Sequence, residues 1–228
     1  MLDLYTDATP NGLKISIALE EMGLDYKTHQ VFLGGDQQTA EFTALNPNQK
    51  IPVLVDDGLV ITESGAILLY LAEKSGKFLP AGTTQRVATI EQLMFQMASL
   101  GPMFGQYLVF AAAWDNKFPE VTSRYFTEVS RIMSVLNTRL DGQDYLAGNE
   151  YTIADMAVAP WIRLCDIHPA CADLPVSKNA NLRNWWNRVA ARPATQKGFE
   201  NPAPYAPEKQ FEGFVSAVVG LGELHKIA

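Results

Sequence analysis

Asn48-Gln49-Lys50-Ile51-Pro52-Val53-Leu54-Val55-Asp56-Asp57-Gly58-Leu59-Val60-Ile61-Thr62-Glu63-Ser64-Gly65-Ala66-Ile67 is the most informative run in this chain. Two apolar segments, Ile51–Val55 and Leu59–Ile61, flank Asp56-Asp57-Gly58. An Asp-Gly pair between such segments signals a β-hairpin, because glycine accepts the positive φ of a tight turn. Ser64-Gly65 then opens an apolar helix through Ala72, with Ser64 expected as its N-cap. Upstream, Leu2–Thr6 reads as a strand followed by the turn cluster Thr9-Pro10-Asn11-Gly12. Leu13, Ile17 and Leu19–Met22 give a helix that Gly23 stops. Tyr26–Phe32 is the next strand, ended by Gly34-Gly35, and a less regular stretch covers Gln37–Leu45. The order β-α-β-α-β-β-α implies a mixed sheet with helices packed on its faces.

Downstream of Gly82 the strand signals vanish. Ile90, Leu93, Met94 and Met97 follow i, i+3, i+4, i+7 spacing, and Tyr125, Val129, Ile132, Met133, Leu136 and Leu140 repeat it on a second long helix. Thr152-Ile153-Ala154-Asp155 is a capping-box variant ahead of the apolar run Met156–Leu164. Leu182, Trp185, Trp186 and Val189 mark another helix, stopped by Arg192-Pro193. The chain therefore divides near Pro80–Thr84. Residues 1–81 form an α/β domain, residues 85–200 an all-α helical domain, and residues 201–228 a Pro-rich linker with a C-terminal extension. In that extension Phe211, Phe214, Val215, Val218 and Leu221 have the spacing of a short amphipathic helix. Its polar face lacks the basic residues of a membrane-surface helix, so packing on its own domain is expected.

Composition narrows the function classes. The 228 residues are 47% hydrophobic and 19% charged, with a net charge of −7. No basic footprint for nucleic acid is evident, and no stretch approaches the roughly 18 apolar residues of a membrane span. The start of the chain lacks the basic, then apolar, pattern of a signal peptide. Its two cysteines, Cys165 and Cys171, make no disulfide framework, which points to a reducing cytoplasm. Cys165, His168 and Cys171 imitate a metal spacing without a fourth ligand, so no metal is expected.

Asn48 through Leu54, followed by Glu63-Ser64-Gly65-Ala66-Ile67, resembles the cytosolic glutathione transferases over roughly residues 1–200. Thr9-Pro10-Asn11-Gly12 after the first strand looks most like the bacterial Nu class and the Ure2-type fungal relatives, which include disulfide-bond oxidoreductases. The resemblance implies a thioredoxin-like N-terminal domain and a homodimer. It also implies glutathione as co-substrate, with Pro52 in cis and Ile51 offering its backbone to the peptide as an added strand would. Glu63 then faces the γ-glutamyl ammonium, Ser64 its carboxylate and Lys50 the glycyl carboxylate. Gln37 and Arg131 match family positions that touch glutathione, Arg131 from either subunit. Read alone, Ser64 would be a capping serine and Lys50 a surface lysine.

The sulfur must be ionised to react. A free thiol with pKa about 8.5 is only about 3% thiolate at pH 7, and lowering it by two units takes about 2.7 kcal/mol. One or two charge-assisted hydrogen bonds suffice. Thr9 and Asn11 stand where such donors belong, although Asn11 could equally cap the helix through other atoms. Tyr5, which other transferase classes would suggest, lies inside the strand and is expected to pack. With no cysteine near this loop, both redox sulfurs must come from glutathione. The expected activity is glutathione-dependent reduction of a small-molecule disulfide, with conjugation of an electrophile or peroxide reduction beside it. The rival is a non-catalytic glutathione-binding regulatory module.

Overall fold

A computed structural model describes residues 1–219 and opens with a four-stranded sheet. The strands are β1 (Leu2–Thr6), β2 (Tyr26–Gln30), β3 (Val53–Asp56) and β4 (Leu59–Thr62), in the spatial order β2-β1-β3-β4. β1 and β2 are parallel, joined through α1 (Pro10–Met22), as a parallel pair requires a crossover. β3 runs antiparallel to β1, Leu4 facing Leu54, and the Asp57-Gly58 turn returns the chain into antiparallel β4. α2 (Ala40–Leu45) sits in the stretch that reads as irregular, and α3 (Ser64–Ser75) follows the hairpin. The expected β-α-β-α-β-β-α order is therefore present. Strand ends differ from the sequence reading: β2 stops at Gln30, and β3 begins only after Pro52, whose nitrogen cannot donate to the ladder.

The rest of the chain is helical. α4 (Thr83–Phe95) runs into α5 (Gly101–Leu108) through a wide turn at Gln96–Leu100, and a second such turn, Val109–Ala113, ends the rod. α6 (Pro119–Arg139), α7 (Ile153–Ile167), α8 (Ala180–Ala190), α9 (Pro193–Phe199) and α10 (Pro207–Val219) follow. α7 is the hub, buried from Ile153 through Ile162. Its capping box forms as the sequence suggests, the Asp155 carboxylate accepting the Thr152 N–H at 2.9 Å and the Trp185 indole N–H at 2.8 Å. α8 ends at Ala190, just ahead of Arg192-Pro193, as the sequence suggests. Proline at a first helical position costs no hydrogen bond, and Pro193 starts α9.

One apolar core runs through both halves, joining Leu4, Ile15 and Ile17 to Met156, Trp161 and Trp185. α1 is its axle, wedged between α3 on one side and α7 and α9 on the other. Gly198 of α9 lies so close that a Cβ there would come within 2.6 Å of the Ile17 Cα. Beside it, Arg192 clasps the buried Glu21 carboxylate at 2.7 and 2.6 Å.

α10 corrects one expectation. It packs on both halves rather than on its own, meeting the 109–113 turn on one side and Phe32 and Gly34 on the other. Lys209 sits over the Phe32 and Tyr205 rings, and the Gln30 amide donates to the Ala203 carbonyl at 3.0 Å. Leu221 of the expected amphipathic stripe lies outside the described residues. No described helix is long and apolar enough to cross a membrane.

Candidate active site

The loop from β1 into α1 is built around a close approach. Gly12 lies where a Cβ would stand 2.2 Å from the Asp7 carbonyl oxygen and 2.3 Å from the Thr6 hydroxyl, so only glycine lets the loop fold back on itself. Thr9 caps α1: its side-chain oxygen accepts the Gly12 N–H at 3.3 Å, and its backbone carbonyl accepts from Leu13 at 2.9 Å. A hydroxyl that accepts there still has its own O–H to give. Asn11 is exposed, and neither its amide nor its backbone N–H has a partner among the described residues. The mouth of α1 thus presents unused neutral donors together with the positive end of the helix dipole.

Asp7 is a second buried feature of this loop that sequence reading passes over. Its carboxylate accepts the Ala8 N–H at 2.8 Å and the Gln30 amide at 3.3 Å, and burial pushes its pKa up. It braces the Thr9 turn from behind.

On the turn into β3, Ile51–Pro52 is a cis peptide bond, and Ile51 makes no backbone hydrogen bond to the described residues. Its N–H and C=O are free for an extended ligand. Asn46 holds this corner by donating to the Lys50 carbonyl at 2.7 Å. The Lys50 side chain is exposed and forms no ion pair among the described residues.

Ser64 corrects a detail. It is the first residue of α3 rather than its cap, while Glu63 occupies the cap position with φ 68° and no capping hydrogen bond. A positive φ at a non-glycine residue costs about 1–3 kcal/mol and collects at functional sites. Here the Glu63 carboxylate is exposed and has no ion pair among the described residues, beside the buried Ser64 hydroxyl. Below them lies Lys14, fully buried, donating from Nζ to Ser64 Oγ at 3.1 Å. Sequence reading missed Lys14 because lysines are almost never fully buried without a partner.

The structure sorts the expected residues. Thr9 and Asn11 stand at one end, and Lys50, Ile51, Pro52, Glu63 and Ser64 gather at β3 and the start of α3. Gln37 is buried with its amide nitrogen on the Leu33 carbonyl at 2.8 Å and its oxygen taking the Gly35 N–H at 3.2 Å, which braces its own loop. Arg131 is exposed on α6 and forks onto Glu128 at 2.9 and 2.7 Å; α6 packs on helical neighbours, not on the sheet domain. Tyr5 stacks on His29 with centroids 4.4 Å apart, away from sulfur chemistry. Burial raises Cys165 and carries Cys171 up to about 12, so neither is a ready thiolate. Among the described residues no three His, Cys, Asp or Glu side chains gather as a metal site would need.

This set of groups fits a zwitterionic tripeptide with an extended middle. It offers an anion and a hydroxyl for an amino-acid head, a free strand edge for the backbone, a cation for the distal carboxylate, and donors for the sulfur. The glutathione S-transferase N-terminal domain profile matches residues 2–73, and the C-terminal domain profile matches residues 100–193. A disulfide-bond oxidoreductase of Escherichia coli, YfcG, is 43% identical over 203 residues, spanning 86% of this chain and 93% of its own. A glutathione transferase from Pseudomonas putida, with one glutathione disulfide bound per subunit, superposes with a TM-score of 0.84 at 40% identity, covering 89% of this chain and 92% of the other. A Pseudomonas fluorescens family member with two glutathiones bound gives a TM-score of 0.83 at 41% identity, covering 87% and 92%.

Proposed function

We propose, from the premise that this chain belongs to the glutathione S-transferase family, that it is a glutathione-dependent disulfide-bond oxidoreductase. The observation that carries this reading is the pairing of unused donors at the mouth of α1 with an unpaired amino-acid-binding corner at Glu63 and Ser64. The chain supplies no reactive thiol of its own. Two glutathione molecules supply the electrons, becoming one glutathione disulfide while the substrate disulfide becomes two thiols.

The protein's residues hold and orient these reactants. Ser64 and the free N–H groups at the start of α3 receive the γ-glutamyl carboxylate, and Glu63 receives its ammonium. Ile51 pairs with the peptide backbone, and Lys50 neutralises the glycyl carboxylate. Thr9 donates its O–H to the sulfur, joined by the Asn11 amide or N–H, so the anion is favoured and the proton leaves to solvent. Gln37 supports the loop that lines the glycyl side. Residues 1–81 serve as the glutathione-binding domain, residues 85–200 as the helical wall of the second-substrate cleft, and residues 201–228 as the extension.

The same reading includes a homodimer in the cytoplasm. Supporting a homodimer, Leu59, Val60, Val87 and Met94 leave apolar side chains exposed on β4 and α4. Arg131 of the partner subunit would then reach the glutathione site, since within one chain α6 stays apart from it. Steady-state turnover of glutathione with a small disulfide such as hydroxyethyl disulfide, followed with the partner reaction of glutathione reductase, tests the activity. Turnover is expected. Tight glutathione binding without turnover would instead support a regulatory binding module.

A further inference from the structure

Lys14 is the one fully buried cation of the described residues that the proposed chemistry leaves unused. It projects from α1 beneath the start of α3. Its Nζ has three protons to place. One goes to Ser64 Oγ at 3.1 Å, and the only other acceptor among the described residues is the weak thioether of Met97 at 3.5 Å. Met97 fills the remaining space, its side chain resting against Gly65 as well. The Glu63 carboxylate opposes the effect of burial on Lys14. Of the helices packed along the rest of α1, α7 carries Asp155, held by the Leu146 and Thr152 N–H groups and the Trp185 indole, Arg163 over the Phe199 ring and Asp166 on Arg183. α9 carries Lys197 on Glu20.

We infer that Lys14 is the positioning residue and buried countercharge of the carboxylate-binding corner. By donating to Ser64 it occupies one acceptor position of that hydroxyl, whose own proton rests on the weak thioether acceptor Met97 Sδ at 3.7 Å and can turn to an incoming carboxylate, a far stronger acceptor. When the carboxylate docks on Ser64, Lys14 becomes fully protonated, the proton coming from solvent. The ligand's ammonium docks on the exposed Glu63 carboxylate, farther from Lys14 than Ser64 is, so the anionic end governs.

This inference rests on the glutathione reading above and deepens it. Burial lowers Lys14 to about 7, so the unliganded protein carries this proton only part of the time near and above that pH. Binding should therefore draw a fraction of a proton per site from solution, rising as the pH is raised from neutral.

The test uses S-methylglutathione, which has no thiol proton of its own to release. Calorimetric titrations near pH 7 in buffers of different ionisation enthalpy count the protons taken up by the wild-type protein and by Lys14→Met. A purely structural lysine would leave that count unchanged. Wild type should take up measurably more proton than the variant, and the variant should bind about tenfold more weakly through loss of a charge-assisted contact. Equal proton counts in the two proteins would overturn the inference, whatever the affinity. If Lys14→Met does not fold, Lys14→Gln gives the same comparison, and a wild-type count of zero overturns the inference without any variant. Wild-type protein that does not bind S-methylglutathione at all sinks the glutathione reading itself, a result distinct from binding without proton uptake.

Discussion

Replacing Thr9 by alanine removes the one hydroxyl proton that the structure leaves free at the mouth of α1. Thr9 Oγ1 already accepts the Gly12 N–H at 3.3 Å, so its O–H has no competing acceptor in the loop. A hydrogen bond from that proton to a sulfur anion is charge-assisted and contributes about 1.5–3 kcal/mol. At about 1.4 kcal/mol per unit, its loss raises the bound thiol's pKa by about 1–2 units. At pH well below the wild-type midpoint the thiolate population falls about 10–100-fold, but each remaining thiolate is more basic and more nucleophilic. With a Brønsted slope of about 0.4–0.5, disulfide reduction there slows by only about 3–10-fold, and by less at neutral pH, where the wild-type thiol is already largely ionised.

The cap is lost as well. That costs about 1 kcal/mol of stability, or about 2–4 °C in Tm for a chain of this size. Thr9→Ser keeps both the cap and the proton and should behave as wild type. The assay is the ultraviolet absorbance of the thiolate in the glutathione complex across pH, with Tm measured in parallel. A Thr9→Ala complex whose thiol midpoint equals that of wild type would refute the assignment of Thr9 as donor. A serine variant as impaired as the alanine one would show that the methyl group, not the hydroxyl, matters.

Two further outcomes follow from geometry elsewhere. Gly12→Ala drives a methyl group into the Asp7 carbonyl, 2.2 Å away. It should cost about 1–3 kcal/mol of stability and lower turnover about as much as Thr9→Ala does, with KM for glutathione little changed, because Ser64 and Glu63 lie on another element; unchanged turnover would show that the loop can relax without moving Thr9. Asp56 is held below the usual carboxylate range, first by the Lys74 ammonium at 2.6 Å and then by the Tyr70 hydroxyl at 2.5 Å. A lowered folded-state pKa contributes stability above the unfolded value of about 3.9 that is lost as pH falls through the folded one. Wild type should thus be more stable than Lys74→Met at neutral pH, with the gap closing in acid; denaturant titrations showing the same gap at every pH would contradict this.

The sequence by itself determined the features that depend on neighbours along the chain. The Asp57-Gly58 hairpin, the Gly23 stop, the Thr152–Asp155 capping box and the change from strand to helix periodicity after Gly82 are all local signals. Each acts within a few residues, so each is readable without a fold. Thr9, Asn11, Lys50, Glu63 and Ser64 were proposed from motif spacing alone, and the sequence also carries the local turn and helix-start signals on which the structure places them. Tertiary structure decided the rest. It alone buries Lys14 under Ser64, because helix periodicity cannot say what lies above a polar position on α1. It turns both polar atoms of the Gln37 amide into its own loop, twists Glu63 to positive φ, and seats α10 across both halves. Those outcomes depend on desolvation and on contacts between residues far apart in sequence, and no run of neighbouring residues encodes them.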